Sequence, residues 1–151
     1  IITDGYLYLR NFKPDRWPKG NPETGYLNCD GSPTKTYILN TRRNKGIMEF
    51  WQLNFGKRPA EELYNINDDP YCMSNLAEVE NFADIKAKLS DEMTKRLEEQ
   101  NDPRIMGNGD VFDNYEYAGA VQNYYNRYMG GEDVPAGWVN KSDYDAYLKE
   151  E

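Results

Sequence analysis

The chain has 151 residues, 38% hydrophobic and 29% charged, the composition of a folded domain rather than of a disordered or membrane-embedded segment. Its 26 acidic residues outnumber its 18 basic ones, for a net charge of -8, so most of the surface would repel a phosphate backbone, which argues against nonspecific nucleic-acid binding. No apolar run approaches the roughly 20 residues of a membrane span, and the absence of histidine removes the commonest general base and metal ligand together.

Read in chain order, the sequence opens at Ile1 with no basic or apolar leader, as expected of a trimmed or processed piece. Asp4-Gly5 is a turn signal ahead of a short aromatic strand, Tyr6 to Leu9. From Asn11 to Thr36 the chain is rich in Pro, Gly, Asn and Asp, which predicts a long irregular loop. Loops of that length are usually functional or disordered, and Trp17, Tyr26 and Leu27 within it argue for an ordered, functional one. Two basic clusters, Lys13, Arg16 and Lys19, then Arg42, Arg43 and Lys45, read either as local anion sites or as solvated loop charge.

A second strand is predicted over Glu61 to Ile66, before the turn-forming Asn67-Asp68-Asp69-Pro70. The clearest element follows, a helix from about Phe82 to Gln100. Phe82, Ile85, Leu89, Met93 and Leu97 recur at spacings of three and four and share one face. Asn81 is the expected N-cap, with Asp84 three residues on, and Asn101-Asp102-Pro103 ends the helix. Two more helices are expected, near Tyr115 to Tyr128 and near Asp143 to Glu150.

No self-contained catalytic template fits. Nucleophilic hydrolysis wants a base beside Ser, Cys or Thr, and histidine is missing. The acid pairs Glu61-Glu62 and Asp68-Asp69 are adjacent, and neighbours on a strand point to opposite faces, so neither pair converges on one bond. The acidic runs at Asn65 to Asp69 and Asn108 to Asp110 lack the closing Glu of a calcium loop, and no phosphate-binding loop is present. Cys29 and Cys72 lack paired zinc spacing; they read as one disulfide or as two free thiols. No catalytic residue and no metal ligand is assigned.

The run Arg58-Pro59-Ala60-Glu61-Glu62-Leu63-Tyr64-Asn65-Ile66-Asn67-Asp68-Asp69-Pro70-Tyr71-Cys72-Met73-Ser74-Asn75-Leu76-Ala77 resembles a hallmark of the sulfatase C-terminal subdomain. There an E-L-Y-D/N strand leads through a D-P-x-E-x-x-N-L-A turn into an amphipathic helix; here Cys72 stands where Glu is common, which weakens local capping. Ile2 to Asn11 resembles the family's R-T-D-x-Y-K-Y-I-x-N strand, with Leu7 in place of the usual Lys. The Phe12-Lys13-Pro14-Asp15-Arg16-Trp17-Pro18 loop and Asn101-Asp102-Pro103 are similar to the sulfamidase-like branch, which acts on heparan-type sugars. The resemblance covers about residues 1–115.

The resemblance implies a sulfuric ester hydrolase of sulfated glycans whose active centre lies elsewhere. Formylglycine, made from the Cys or Ser of C/S-x-P-S-R, and calcium would belong to an N-terminal catalytic domain, which becomes this chain's partner. This chain alone is then inactive, and a periplasmic or secreted location follows from the family. Recognition of a sulfated sugar calls for cations, hydroxyl-binding carboxylates and an aromatic platform. The Asn11 to Lys35 loop supplies Lys13, Arg16, Trp17, Asp30 and Lys35 as candidate substrate-binding residues. The loop either selects the sugar or packs against the catalytic domain.

A rival reading is a free-standing carbohydrate-binding module with Tyr115, Tyr117, Tyr124, Tyr125 and Tyr128 as its platform; a third is a structural interaction domain. The expected fold is α+β in a single domain, 1–151, with a core over about 1–115 and a helical tail over about 116–151. It places a small antiparallel sheet of about four strands under the long amphipathic helix, followed by C-terminal helices. The sheet's other face would then be an apolar patch prone to self-association.

Overall fold

A two-residue turn sets the first element of the structure. Asp4 and Gly5 both take positive φ, 51° and 80°, and Thr3 lies opposite Tyr6 across them. Paired left-handed residues are what a tight antiparallel hairpin needs, and Asp-Gly is a favoured pair for it. A Cβ on Gly5 would sit 2.2 Å from the Asn67 side-chain amide, and at φ 80° any side chain there is strained. The turn signal therefore joins two strands rather than preceding one.

The computed structural model describes residues 1–119 and 121–145. It is a mixed α+β structure, ordered β1 (Ile2–Thr3), β2 (Tyr6–Arg10), α1 (Pro33–Arg43), α2 (Glu49–Phe55), β3 (Glu61–Asn65), α3 (Ala83–Glu99) and α4 (Tyr124–Met129), with short 3-10 turns between. The sheet has three antiparallel strands in the order β1-β2-β3, where about four were expected. The chain divides into two compact units, one from residues 1–14 and 59–115, the other from 15–58 and 116 onward. Residues 116–119 and 121–145 thus group with the 15–58 insertion, and residues 1–115 contribute to both units.

In the first unit, Tyr8 lies opposite Leu63 in the β2–β3 register. Both are fully buried, and with Ala77 and Leu89 they form the core, against which Phe82, Ile85 and Met93 of the predicted stripe pack. Leu97, the last member of that stripe, is half-buried and outside the cluster. Glu61 and Glu62 diverge as strand neighbours must. Glu61 accepts from the Tyr8 hydroxyl at 2.5 Å and pairs with Lys86, whereas Glu62 accepts from Tyr64 and Asn11. The opposite face carries Leu7, Leu9, Glu62 and Tyr64; Glu62 and Tyr64 are buried, so it is not a bare apolar patch.

Helix α3 differs from expectation at its start. A 3-10 turn over Glu80–Phe82 runs into it, so Asn81 lies within that turn and Phe82 precedes the first helical residue without a side-chain cap. Phe82 is anchored to the core, and this packing sets the entry. At the other end Asn101 turns left-handed at φ 54°. Its N–H reaches Glu98 O, and that of Asp102 reaches Leu97 O, the paired bonds that close a helix before a left-handed residue.

In the second unit, α1 begins inside the stretch expected to be irregular loop up to Thr36. Ser32 accepts the Lys35 N–H through its hydroxyl, and Pro33 occupies the first turn, where a missing N–H is harmless. Tyr26, Leu39, Trp51 and Phe55 form this unit's core, with Trp17, Cys29 and Ile38 against it. The Tyr26 hydroxyl accepts from the Trp51 indole at 3.0 Å, which satisfies both polar atoms inside an aromatic cluster. The expected helix over Tyr115 to Tyr128 is reduced to α4, because Asn123 takes the left-handed conformation at its start. Of the helix expected near Asp143 to Glu150, residues 146–150 lie outside the described residues; Lys141–Asp143 is a 3-10 turn.

Candidate functional site

The five candidate sugar contacts divide between the units. Lys13 belongs to the first, where its ammonium pairs with Asp110 at 2.5 Å; both side chains are largely exposed. Arg16, Trp17, Asp30 and Lys35 belong to the second. Arg16 and Asp30 are exposed. Trp17 is half-buried, edge-on to Tyr26 and Trp51, with the Lys57 ammonium 4.9 Å from its ring centre. Its faces serve packing more than they offer an open platform.

Lys35 points inward. It is 2% exposed, and its ammonium donates to Gly25 O at 2.7 Å and Cys29 O at 2.6 Å, with Tyr26 O further off at 3.4 Å. A buried ammonium needs such partners, since desolvation without them costs several kcal/mol. Burial lowers the Lys35 pKa, and Asp143 at 3.8 Å offsets this only in part. The placement follows from helical spacing: Lys35 and the buried Leu39 are four apart and share the inward face of α1. Lys35 therefore holds the Gly25 to Cys29 turn closed instead of meeting a sugar.

The second basic cluster has a structural role as well. Arg43 donates Nε to Asp145 Oδ1 at 2.7 Å and Nη1 to Ser142 O at 2.7 Å. Arg42 lies 3.8 Å over the Trp51 ring and 3.6 Å from Asp145. Thr36 adds a bond to Asp143 at 2.8 Å. These contacts fasten residues 142–145 to α1. Both cysteines are free thiols, and among the described residues no three acids or thiols come together as a metal site.

A cleft that sequence reasoning found only in part opens elsewhere on the second unit. Its volume is about 440 Å³, and its lining includes Asn21, Asn28, Tyr117, Tyr125 and Trp138. The Trp138 indole N–H is tied to Leu27 O at 2.8 Å, and Gly31 N–H bonds Trp138 O at 2.6 Å, which fixes the residue at both ends. Tyr124, one of the five tyrosines of the expected platform, is buried at the cleft floor and stacks on Tyr128 at 6.2 Å. Tyr117 and Tyr125 remain open, and Tyr115 belongs to the other unit. The missed residue is Trp138; its signal was a tryptophan directly after the breaker Pro135-Ala136-Gly137.

Comparison with protein-family models, with curated proteins and with solved structures finds no match to this chain.

Proposed function

We propose that this chain is the C-terminal subdomain of a formylglycine-dependent sulfatase of sulfated glycans, closest to the sulfamidase-like branch. It works with an N-terminal catalytic domain of the same protein, in the periplasm or outside the cell. The observation that carries this reading is the closed strand-turn-helix unit of residues 61–99. The residues of the sulfatase-like motif are the ones that build it.

Asp69 accepts the Ser74 N–H at 2.8 Å and shapes the turn. Its carboxyl is held below the usual range by the N–H groups of Met73 and Ser74. Asn75 bonds Leu63 N–H, Ala77 N–H and Glu61 O, and the Leu76 N–H reaches Leu63 O at 2.7 Å. The D-P and N-L-A parts of the motif thus have a mechanical purpose: they bind the outer edge of β3 and aim the chain into α3. The same turn runs through Cys72 at φ 52°, so Cys72 serves as a turn residue and not as a cap.

In this reading the catalytic aldehyde and the calcium belong to the catalytic domain, and no step of the hydrolysis is assigned to this chain. Its contribution to the substrate comes from the exposed Lys13 of the first unit and from the exposed Arg16 and Asp30 of the second, where Trp17 and Lys35 hold the loop that carries Arg16 and Asp30. Lys13→Ala with Arg16→Ala in the whole enzyme tests this contribution. A raised KM for sulfated oligosaccharides is expected, and an unchanged KM removes the loop from substrate selection.

A further inference from the structure

We propose that the Tyr117–Tyr125–Trp138 cleft of the second unit binds an uncharged pyranose unit of a polysaccharide. This goes beyond the sulfatase reading and does not depend on it. The cleft volume of about 440 Å³ falls within the roughly 300–1,000 Å³ of small-molecule sites. Three aromatic side chains stay open around it: Tyr117 is 60% exposed, Trp138 39% and Tyr125 37%. Large aromatics left outside a core call for an explanation when they converge on one concavity.

The lining chemistry narrows the ligand. Among the described residues that line it, none is Lys, Arg, Asp or Glu, so a sulfate, phosphate or ammonium group would find no counter-charge among them. The polar groups include the carboxamides of Asn21, Asn28 and Asn123, each with an acceptor oxygen and two donor hydrogens, beside the hydroxyls of Thr24 and the tyrosines. Asn21 caps the turn that follows it through its backbone carbonyl, and its side chain makes no cap bond there. The Asn28 N–H to Lys19 O bond, 3.0 Å long, brings Asn21 and Asn28 to the same wall. Gly20 permits that approach, since a Cβ there would lie 2.9 Å from Leu27 N. A ligand with apolar C–H faces for the rings and hydroxyls around its edge matches both halves of this lining, and a neutral pyranose has both.

The anchor is positioned before binding. Its N–H bond to Leu27 O holds the Trp138 ring in place, and pre-ordering of this kind lowers the entropy cost of association. Tyr117 lies against Gly119, where any Cβ would be 2.4 Å from the ring.

The test is titration of the full chain with cellohexaose, xylohexaose and chitohexaose, and with a heparin-derived hexasaccharide, followed by saturation-transfer NMR. At least one neutral hexasaccharide is expected to bind. Affinity should fall by about tenfold or more in the Tyr117→Ala/Tyr125→Ala variant, with the melting temperature unchanged because both residues are exposed. The heparin fragment should not compete. Failure of all three neutral probes, equal binding by the variant, or displacement by the heparin fragment each overturns the proposal. None of these outcomes bears on the sulfatase reading, which the upstream coding sequence decides.

Discussion

Asn75 Oδ1 accepts the backbone N–H of Leu63 at 2.9 Å, while its amide nitrogen donates to Glu61 O at 3.2 Å. One side-chain amide thereby imitates a further strand on the edge of β3. An edge strand otherwise exposes a row of unpaired groups, and Leu63 is fully buried, so water is a poor substitute partner.

Asn75→Ala should therefore destabilise the protein by about 1–3 kcal/mol, the cost of leaving a buried donor unsatisfied. Asn75→Asp should cost less, because it keeps the acceptor for Leu63 and Ala77 and loses only the donor to Glu61. Urea unfolding midpoints of the three proteins check the order. Equal midpoints for wild type and Asn75→Ala would show that the amide is incidental.

Leu89 is the most buried residue of α3, at 2% exposure. Leu89→Ala should cost about 2–5 kcal/mol from lost transfer energy and a residual cavity. Leu97→Ala, at a half-buried position outside the core cluster, should cost distinctly less. Thermal melts of the pair decide whether the predicted five-residue stripe acts as one face or ends at Met93.

Lys35→Met removes the ammonium that gathers the carbonyls of Gly25, Tyr26 and Cys29 and leaves Asp143 without its cation. A loss of about 3–5 kcal/mol is expected, the usual penalty for breaking a buried charged group from its partners. Amine-reactive labelling followed by mass spectrometry offers an independent check. Lys35 should be protected in the folded chain, whereas exposed Lys13 is modified; rapid labelling of Lys35 would contradict its inward placement.

Stability should fall in alkali. Burial, reinforced by its hydrogen bond with Tyr124, pushes the Tyr144 phenol from 10.0 up to about 12, and burial also raises Tyr8 and Tyr26. A phenol whose folded pKa is raised contributes stability that is complete below the unfolded value and lost as the pH climbs through the folded one. The unfolded chain releases these protons near 10 while the native chain keeps them, so the melting temperature should drop between pH 10 and about 12. Lys35, with its lowered pKa, works the other way below 10.5. Tyr144→Phe should flatten the decline; an unchanged slope would remove Tyr144 as a cause.

Much of the first unit was legible in the sequence because its signals are local. Asp4-Gly5 marked a turn before β2, although β1 on its other side went unread; the three-and-four spacing from Phe82 dictates α3, and Asn101-Asp102-Pro103 dictates its end. The second unit was not, because its core unites Tyr26 with Trp51 and Phe55, partners that no periodicity connects. Ser32-Pro33 was a readable start for α1, masked by the surrounding Gly, Asn and Asp. The fastening of residues 142–145 to α1 rests on Arg43–Asp145, charges about a hundred residues apart, which no window along the chain detects. For the site, loop composition made Lys35 look like a ligand contact, although its four-residue spacing from Leu39 placed it on the buried face.

Sulfate release from heparan-type oligosaccharides tests the central claim most directly, measured for the 151-residue chain and for the whole reading frame that encodes it. The account predicts a C/S-x-P-S-R motif upstream of Ile1, sulfate release by the whole protein once that residue is converted to formylglycine, and none by the chain alone. Sulfate release by these residues unaided, or a reading frame without that motif, would contradict it.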